Sequence, residues 1–226
     1  MTEESIKNNI GKQAASLIQD GMLVGLGTGS TAAYFIKHLA LRCQNEGLKI
    51  KAVASSLASL EQAKKEGIPL IDINSLTFLD ITVDGADEID PLKQMIKGGG
   101  GALTREKIVA SMSKEMIVIV DETKLVSKLG KRKLPVEVLP FAYKATEHKI
   151  EKLGFTGAFR ITNEGNLFIT DNGNYIYDIH FQKPRDNPKD DHEALIHLPG
   201  VVETGFFFHL AGRVIIGFLD GQVVIK

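Results

Sequence analysis

Short apolar runs alternating with amphipathic stretches constrain this chain more than any other feature. Residues 22–26, 50–53, 69–71, 78–83 and 116–120 are each too short for a core helix and end in turn-forming residues, so they read as strands. Between them Ile6, Ile10, Ala14, Leu17 and Ile18 recur at helical spacing, as do Ala32, Phe35, Ile36 and Leu39, and residues 57–65 and 102–112 continue the helical set. Strands that alternate with helices bury both sheet faces when the strands run parallel and the helices cross over them. The expected fold is α/β, with a Rossmann-like parallel sheet.

After Lys131 the texture changes. Residues 134–140 form a proline-bracketed strand, 142–153 a helix, 159–178 alternating strands split by a turn at Asp171-Asn172-Gly173-Asn174, and 184–191 a polar loop. This reads as a smaller α+β domain, residues 131–204, inserted into a larger one. Residues 205–226, with a turn at Asp220-Gly221, are expected to return to the large sheet, which gives the first domain the bounds 1–130 plus 205–226.

Composition removes several classes of function. Lys and Arg number 27 against 28 Asp and Glu, so the chain lacks the basic field of a nucleic-acid binder. No stretch approaches the roughly 18 consecutive apolar residues of a membrane helix. The lone Cys43 excludes an intramolecular disulfide and reads as a small hydrophobe in a helix. An acidic start at Glu3 and Glu4, followed by no apolar run, resembles no targeting peptide, so a cytoplasmic location is expected. Histidines are scattered and no His/Asp/Glu set has helical metal spacing, so neither metal nor cofactor is expected.

Three loops follow predicted strands at their carboxyl ends, where open α/β sheets place ligands. In Gly25-Leu26-Gly27-Thr28-Gly29-Ser30-Thr31, glycines permit a tight turn and three hydroxyls lie beside the open N–H groups of a helix start, which suits a phosphate as well as it suits a plain capped turn. Neither the P-loop nor the dinucleotide fingerprint fits. Asp84-Gly85-Ala86-Asp87-Glu88 crowds three carboxylates, which can bind sugar hydroxyls, tune one another's proton affinity, hold a cation, or form a solvated turn. Four successive glycines, Gly98 to Gly101, carry an entropy cost that is useful where a ligand or chain approaches closely. Glu106 follows on the first turn of a helix, whose dipole favours the carboxylate form a base requires, while Lys97 or Arg105 can polarise a carbonyl or enediolate oxygen.

The strings GLGTGSTAA (25–33), DGADEI (84–89), KGGGGALTREK (97–107) and LPVEV (134–138) together resemble the ribose-5-phosphate isomerase A family, and weaker matches at TDNGN (170–174) and PGVV (199–202) extend the resemblance over essentially the whole chain. It implies interconversion of D-ribose 5-phosphate and D-ribulose 5-phosphate through an enediol, without metal or cofactor, in the non-oxidative pentose phosphate pathway. By the same resemblance Glu106 moves the proton between C2 and C1, Asp84 and Asp87 face the sugar oxygens, and Lys97 stabilises the enediolate. The substrate then lies against Thr28, Gly29, Ser30, Thr31, Gly85, Ala86, Gly98, Gly99 and Gly100, with Lys124 and Lys7 on its phosphate. A homodimer or homotetramer is implied, with a small sugar phosphate as the only other partner. The bulky run Phe206-Phe207-Phe208 reads as core.

Three rivals lose ground on the same residues. A CoA transferase would use Glu106 as a nucleophile, and covalent modification by a CoA thioester would reveal it, but it leaves the hydroxyl-rich loop and the Asp84/Asp87 pair unexplained. A sugar-phosphate sensor needs a DNA-binding helix-turn-helix, and a single helix precedes the first strand. A nicotinamide-dependent oxidoreductase fails on the missing fingerprint.

Overall fold

In the computed structural model, which describes residues 1–226, the N-terminal spacing forms α1 (Glu3–Ser16), begun by the Thr2 hydroxyl accepting from the Ser5 N–H. Then come β1 (Leu23–Leu26), α2 (Ser30–Asn45), β2 (Lys51–Ala54), α3 (Leu57–Lys65) and β3 (Ile81–Gly85). They are followed by β4 (Glu88–Ile89), β5 (Met95–Ile96), α4 (Leu103–Ser111), β6 (Met116–Asp121), β7 (Leu134–Val138), α5 (Tyr143–Lys152) and β8 (Gly157–Phe159). The chain ends with β9 (Tyr175–Ile179), α6 (Pro188–Ile196), β10 (Val201–Thr204), β11 (Phe206–Phe207), β12 (Ala211–Gly217) and β13 (Val223–Ile225).

Two units emerge. The first comprises Met1–Ala86, Arg105–Leu125 and Leu210–Lys226. Its six-stranded sheet runs β13-β12-β6-β3-β1-β2, parallel except for the antiparallel edge strand β13. Every residue of β6 is buried, as a central parallel strand covered on both faces requires. Ile6 and Ile10 of α1, with Phe35, Ile36 and Leu39 of α2, pack over Val24, Leu26, Ile117 and Ile119. The two helices cross at Gly11, where a Cβ would stand 2.7 Å from the Phe35 nitrogen. Cys43 packs against this core as an apolar side chain.

The second unit comprises Asp87–Thr104 and Val126–His209. It holds a four-stranded antiparallel sheet, β10-β7-β9-β8, and a three-stranded one, β11-β5-β4. Leu134, Val136, Val138, Ile150, Tyr177, Ile179, Leu195 and Phe206 fill its core.

Four expectations change. Residues 87–104 belong to the second unit, because β4 pairs with β5 and β5 with β11, which leaves the large sheet untouched. Phe206 and Phe207 accordingly join that small sheet, although both are core as expected. The polar stretch 184–191 is half helix: Pro188 opens α6, Asp190 and Asp191 favour its positive end, and Leu195 anchors it in the core. Residues 69–71 shrink to a single bridge between Leu70 and Ala52.

The Gly11 crossing has a testable consequence. Alanine is about 1 kcal/mol better than glycine within a helix, yet its methyl meets backbone atoms that cannot rotate away. Gly11→Ala is therefore expected to destabilise the chain by roughly 1–3 kcal/mol in urea unfolding, and a raised midpoint would refute the close crossing.

Candidate active site

In the first unit the chain leaves β1 at Gly27, whose N–H donates to the Val83 carbonyl at 2.9 Å. The next N–H, of Thr28, donates to Asp84 Oδ1 at 2.9 Å, and Gly85 N–H donates to the same oxygen at 2.8 Å. Any side chain at position 27 would collide with this carboxylate, so the glycine is required by close approach. Asp84 is 2% exposed, and two backbone donors supply what water no longer can. The Thr28 hydroxyl lies 2.9 Å from those of Ser55 and Ser56, while Ser59 donates to the Gly27 carbonyl at 2.6 Å. Gly29, at φ 102°, turns the chain into α2, which starts with Ser30 and Thr31 and has no side-chain cap. Its leading N–H groups are thus placed as an anion site requires.

Glu106 sits on the first turn of α4, 6% exposed. Lys124 ends the short 3-10 turn Glu122–Lys124 that follows β6. Lys7 lies on α1 and pairs with Glu3 at 2.5 Å. The hydrogen bond from Lys7, and then its charge, hold the Glu3 carboxyl below the usual range.

The second unit carries Asp87, Lys97 and the glycine run. Asp87 Oδ2 accepts the Gly99 N–H at 2.8 Å. Gly98 and Gly101 have φ of 102° and 83°, and the Gly101 N–H closes the turn onto the Gly98 carbonyl at 2.9 Å. At Gly101 a Cβ would strike the Phe168 ring. Lys97, 2% exposed, is fixed by its N–H to the Gly205 carbonyl at 2.8 Å, and its Nζ lies 5.5 Å from the Phe207 ring centroid. The structure thus joins Gly27, Thr28, Gly85 and Asp84 in one unit and Asp87 and Gly99 in the other. Lys7 it gives to Glu3.

Sequence reasoning missed several residues behind these loops. Ser55, Ser56 and Ser59 follow β2 at its carboxyl end, so the rule that picked out the other loops would have found them. Arg160, Asp178 and Glu137 carry no local signal. Arg160 Nη1 donates to the carbonyls of Gly98 and Gly99 at 3.2 and 3.0 Å, and its other nitrogens grip Asp178 at 2.9 and 2.6 Å. Glu137, fully buried, accepts from the hydroxyls of Thr104 and Thr170 and the amides of Asn172 and Asn174.

Such parts suit proton transfer on a phosphorylated, hydroxyl-rich molecule: the first unit has an anion-ready helix start and two buried carboxylates, Asp84 and Glu106, and the second a buried cation, Lys97, and the Asp87 carboxylate on the glycine run. The family model for ribose 5-phosphate isomerase A (phosphoriboisomerase A) matches residues 51–221. The chain belongs to that family. Ribose-5-phosphate isomerase A of Protochlamydia amoebophila (strain UWE25) is 55% identical over 213 residues, covering 94% of this chain and 91% of that protein. Among solved structures, ribose 5-phosphate isomerase A from Methanocaldococcus jannaschii superposes with a TM-score of 0.93 at 38% identity, over 100% of this chain and 99% of that one. A D-ribose-5-phosphate isomerase in complex with phospho-erythronic acid gives 0.94 at 39% identity, with the same coverage.

Asp178 behind the glycine run makes stability depend on pH. Burial pushes its carboxyl upward, but hydrogen bonds and charge from Arg160 and Lys133 outweigh that and hold it below the ordinary value. Its contribution is therefore present above the unfolded value of about 3.9 and is lost as pH falls through the lower folded one. Asp178→Asn should cost about 3 kcal/mol at neutral pH and flatten the acid limb of a urea-midpoint profile. An unchanged limb would show that this carboxylate does not carry the acid sensitivity.

Proposed function

We infer that the chain interconverts D-ribose 5-phosphate and D-ribulose 5-phosphate through an enediol, with Glu106 carrying the proton between C2 and C1. The observation that carries this reading is Glu106 itself: a buried carboxylate on the first turn of the helix that follows a four-glycine run, in a chain of this family.

The chemistry asks little beyond positioned acids and bases. In the open-chain aldose only the neighbouring C1 carbonyl makes the C2 proton removable. Glu106 takes that proton, and the electron pair becomes the C1=C2 bond while O1 gains negative charge and then a proton. The O2 hydroxyl next gives up its proton, the double bond moves to C2=O, and the Glu106 carboxyl returns its proton to C1. Substrate and product are isomers, so no net electrons enter or leave and no redox cofactor has a step to perform, and the Lys97 ammonium can serve as the electrophile that the developing enediolate requires.

In this reading the Lys97 ammonium offsets the enediolate charge, as a desolvated cation does best, and Asp84 and Asp87 handle the hydroxyl protons. Asp84 is preset for that by its two backbone donors. The phosphate lies at the start of α2, against residues 28–31, with Lys124 as its counter-charge. Lys7 joins it by exchanging Glu3 for the phosphate. Gly85, Ala86 and the backbone of Gly98 to Gly100 border the sugar.

Ketose formation from ribose 5-phosphate in EDTA, followed by ultraviolet absorbance, tests the base and the metal independence together. Wild type should turn over, and Glu106→Gln should lose roughly a hundredfold to ten-thousandfold in kcat while remaining folded; near-normal turnover by the variant would end the assignment. For the phosphate, Lys124→Ala should raise KM for ribose 5-phosphate by about tenfold, as expected for loss of a charge-assisted contact, and leave unphosphorylated ribose as poor a substrate as before. An equal effect on both sugars would remove Lys124 from the phosphate site.

A further inference from the structure

The glycine run poses a physical problem that the proposed roles do not answer. Four glycines sample backbone conformations more freely than any other sequence, and a loop left to itself would hold no substrate atom or catalytic group in place. Its two left-handed glycines and single internal hydrogen bond, from Gly101 N–H to the Gly98 carbonyl, fix only the turn.

Further restraint on the carbonyl side of the run arrives from Arg160. Arg160 uses one guanidinium nitrogen for the carbonyls of Gly98 and Gly99 and two for the Asp178 carboxylate, while its Cζ lies 5.5 Å from the Phe168 ring centroid. Asp178 sits on β9 and is held a second time by Lys133 at 2.5 Å. The arginine side chain is 11% exposed, so most of it is shielded from water. A peptide plane is rigid and trans, with its C=O and N–H on opposite sides. Fixing the Gly98 carbonyl on Arg160 therefore also fixes the Gly99 N–H, which points the other way and donates to Asp87 Oδ2 at 2.8 Å. The peptide between Gly98 and Gly99 is thus a rigid link with Arg160 at one end and Asp87 at the other.

We propose that Arg160 is a positioning residue: anchored on Asp178, it orients the Gly98 and Gly99 peptides and through the Gly99 N–H sets the Asp87 carboxylate for the isomerisation. This rests on the proposed role of Asp87. Arginine is needed because its planar fork serves a carboxylate and two carbonyls at once, whereas a lysine ammonium satisfies the carboxylate without spanning to the loop.

The test compares wild type, Arg160→Lys, Arg160→Ala, Asp87→Asn and the Arg160→Lys/Asp87→Asn double variant. Lysine keeps a cation beside buried Asp178, so that variant should fold even where alanine does not. Two readouts are taken: amide exchange of residues 96–104 by mass spectrometry, which needs no turnover, and kcat and KM for ribose 5-phosphate. Arg160→Lys should exchange this segment at least about tenfold faster while β6 and β9 keep their protection, and should lose roughly ten- to a hundredfold in kcat, as sub-ångström misplacement of a catalytic group does, with KM within about threefold. In the double variant the Arg160→Lys change should add little to the loss from Asp87→Asn, because both act on one group. Unchanged exchange, an unchanged kcat, or losses that multiply would each overturn the proposal. Failure of the base assignment reads out separately, as retained turnover by Glu106→Gln with the exchange result unaffected.

Discussion

The parallel pairing of β1 with β3 sets Leu26 opposite Val83, and from that register Gly27 comes to face Asp84. Much of the first unit's ligand end depends on this contact. Because position 27 has no side chain, the Asp84 carboxylate moves in against the backbone and takes the N–H groups of Thr28 and Gly85. Those two bonds stabilise an acid that is otherwise shut from water, and they also fix the path of the loop that leads into α2. The neighbouring β2, in register with β1 on its other side, brings Ser55, Ser56 and Ser59 to the Thr28 hydroxyl. Sheet register, more than any local preference of the loop, thus decides which groups meet there.

The strands of the second unit bury three further carboxylates and satisfy each by different means. Glu88 relies on the backbone N–H groups of Gly130 and Arg132; burial still outweighs them and raises its pKa. Glu137 is met by neutral hydroxyl and amide donors from four side chains. Asp178 takes two cations, which outweigh burial. These groups sit on β4, β7 and β9, strands whose other residues make the core, so each costs desolvation that apolar packing would avoid. A fold seeking only stability has no need of them. Glu137 and Asp178 occupy strands paired in register, with Asp178 opposite Pro135 and Glu137 opposite Ile176, and both act on the segment 98–104: one on Thr104, the other through Arg160 on the glycines. The four-stranded sheet serves as a rigid bed for a segment with little rigidity of its own.

This division explains what could be read from the sequence. Periodicity gave α3 its observed ends and placed β1, β2, β6 and α4 to within a few residues, because the burial of these elements repeats at the spacing of their own geometry. The three loops were visible because their composition is costly without a ligand or a close neighbour. Glycine at 27 and the pair at 98 and 101 turn out to be required by a carboxylate and by left-handed backbone respectively. Pairing was less legible. The strand at Phe206 and Phe207 is two residues long, and nothing within it distinguishes a place in the large sheet from a place beside β5. The α6 stretch was hidden by its charge, since the apolar anchor Leu195 lies beyond the polar run that drew attention.

The least legible residues are those that restrain the site without composing it. Arg160 lies 61 residues from the Gly99 carbonyl it holds and 18 from the Asp178 it grips. A charged residue in an alternating strand pattern reads as solvent-facing, and single-sequence periodicity contains no term for a partner so far along the chain. The same distance makes such a contact useful. A loop restrained only by its neighbours would shift with every local fluctuation, whereas one tied to the centre of a separate sheet moves only if that sheet does. Candidate catalytic groups can therefore be picked out from local strings, while the restraints that would keep them within a fraction of an ångström belong to the tertiary structure.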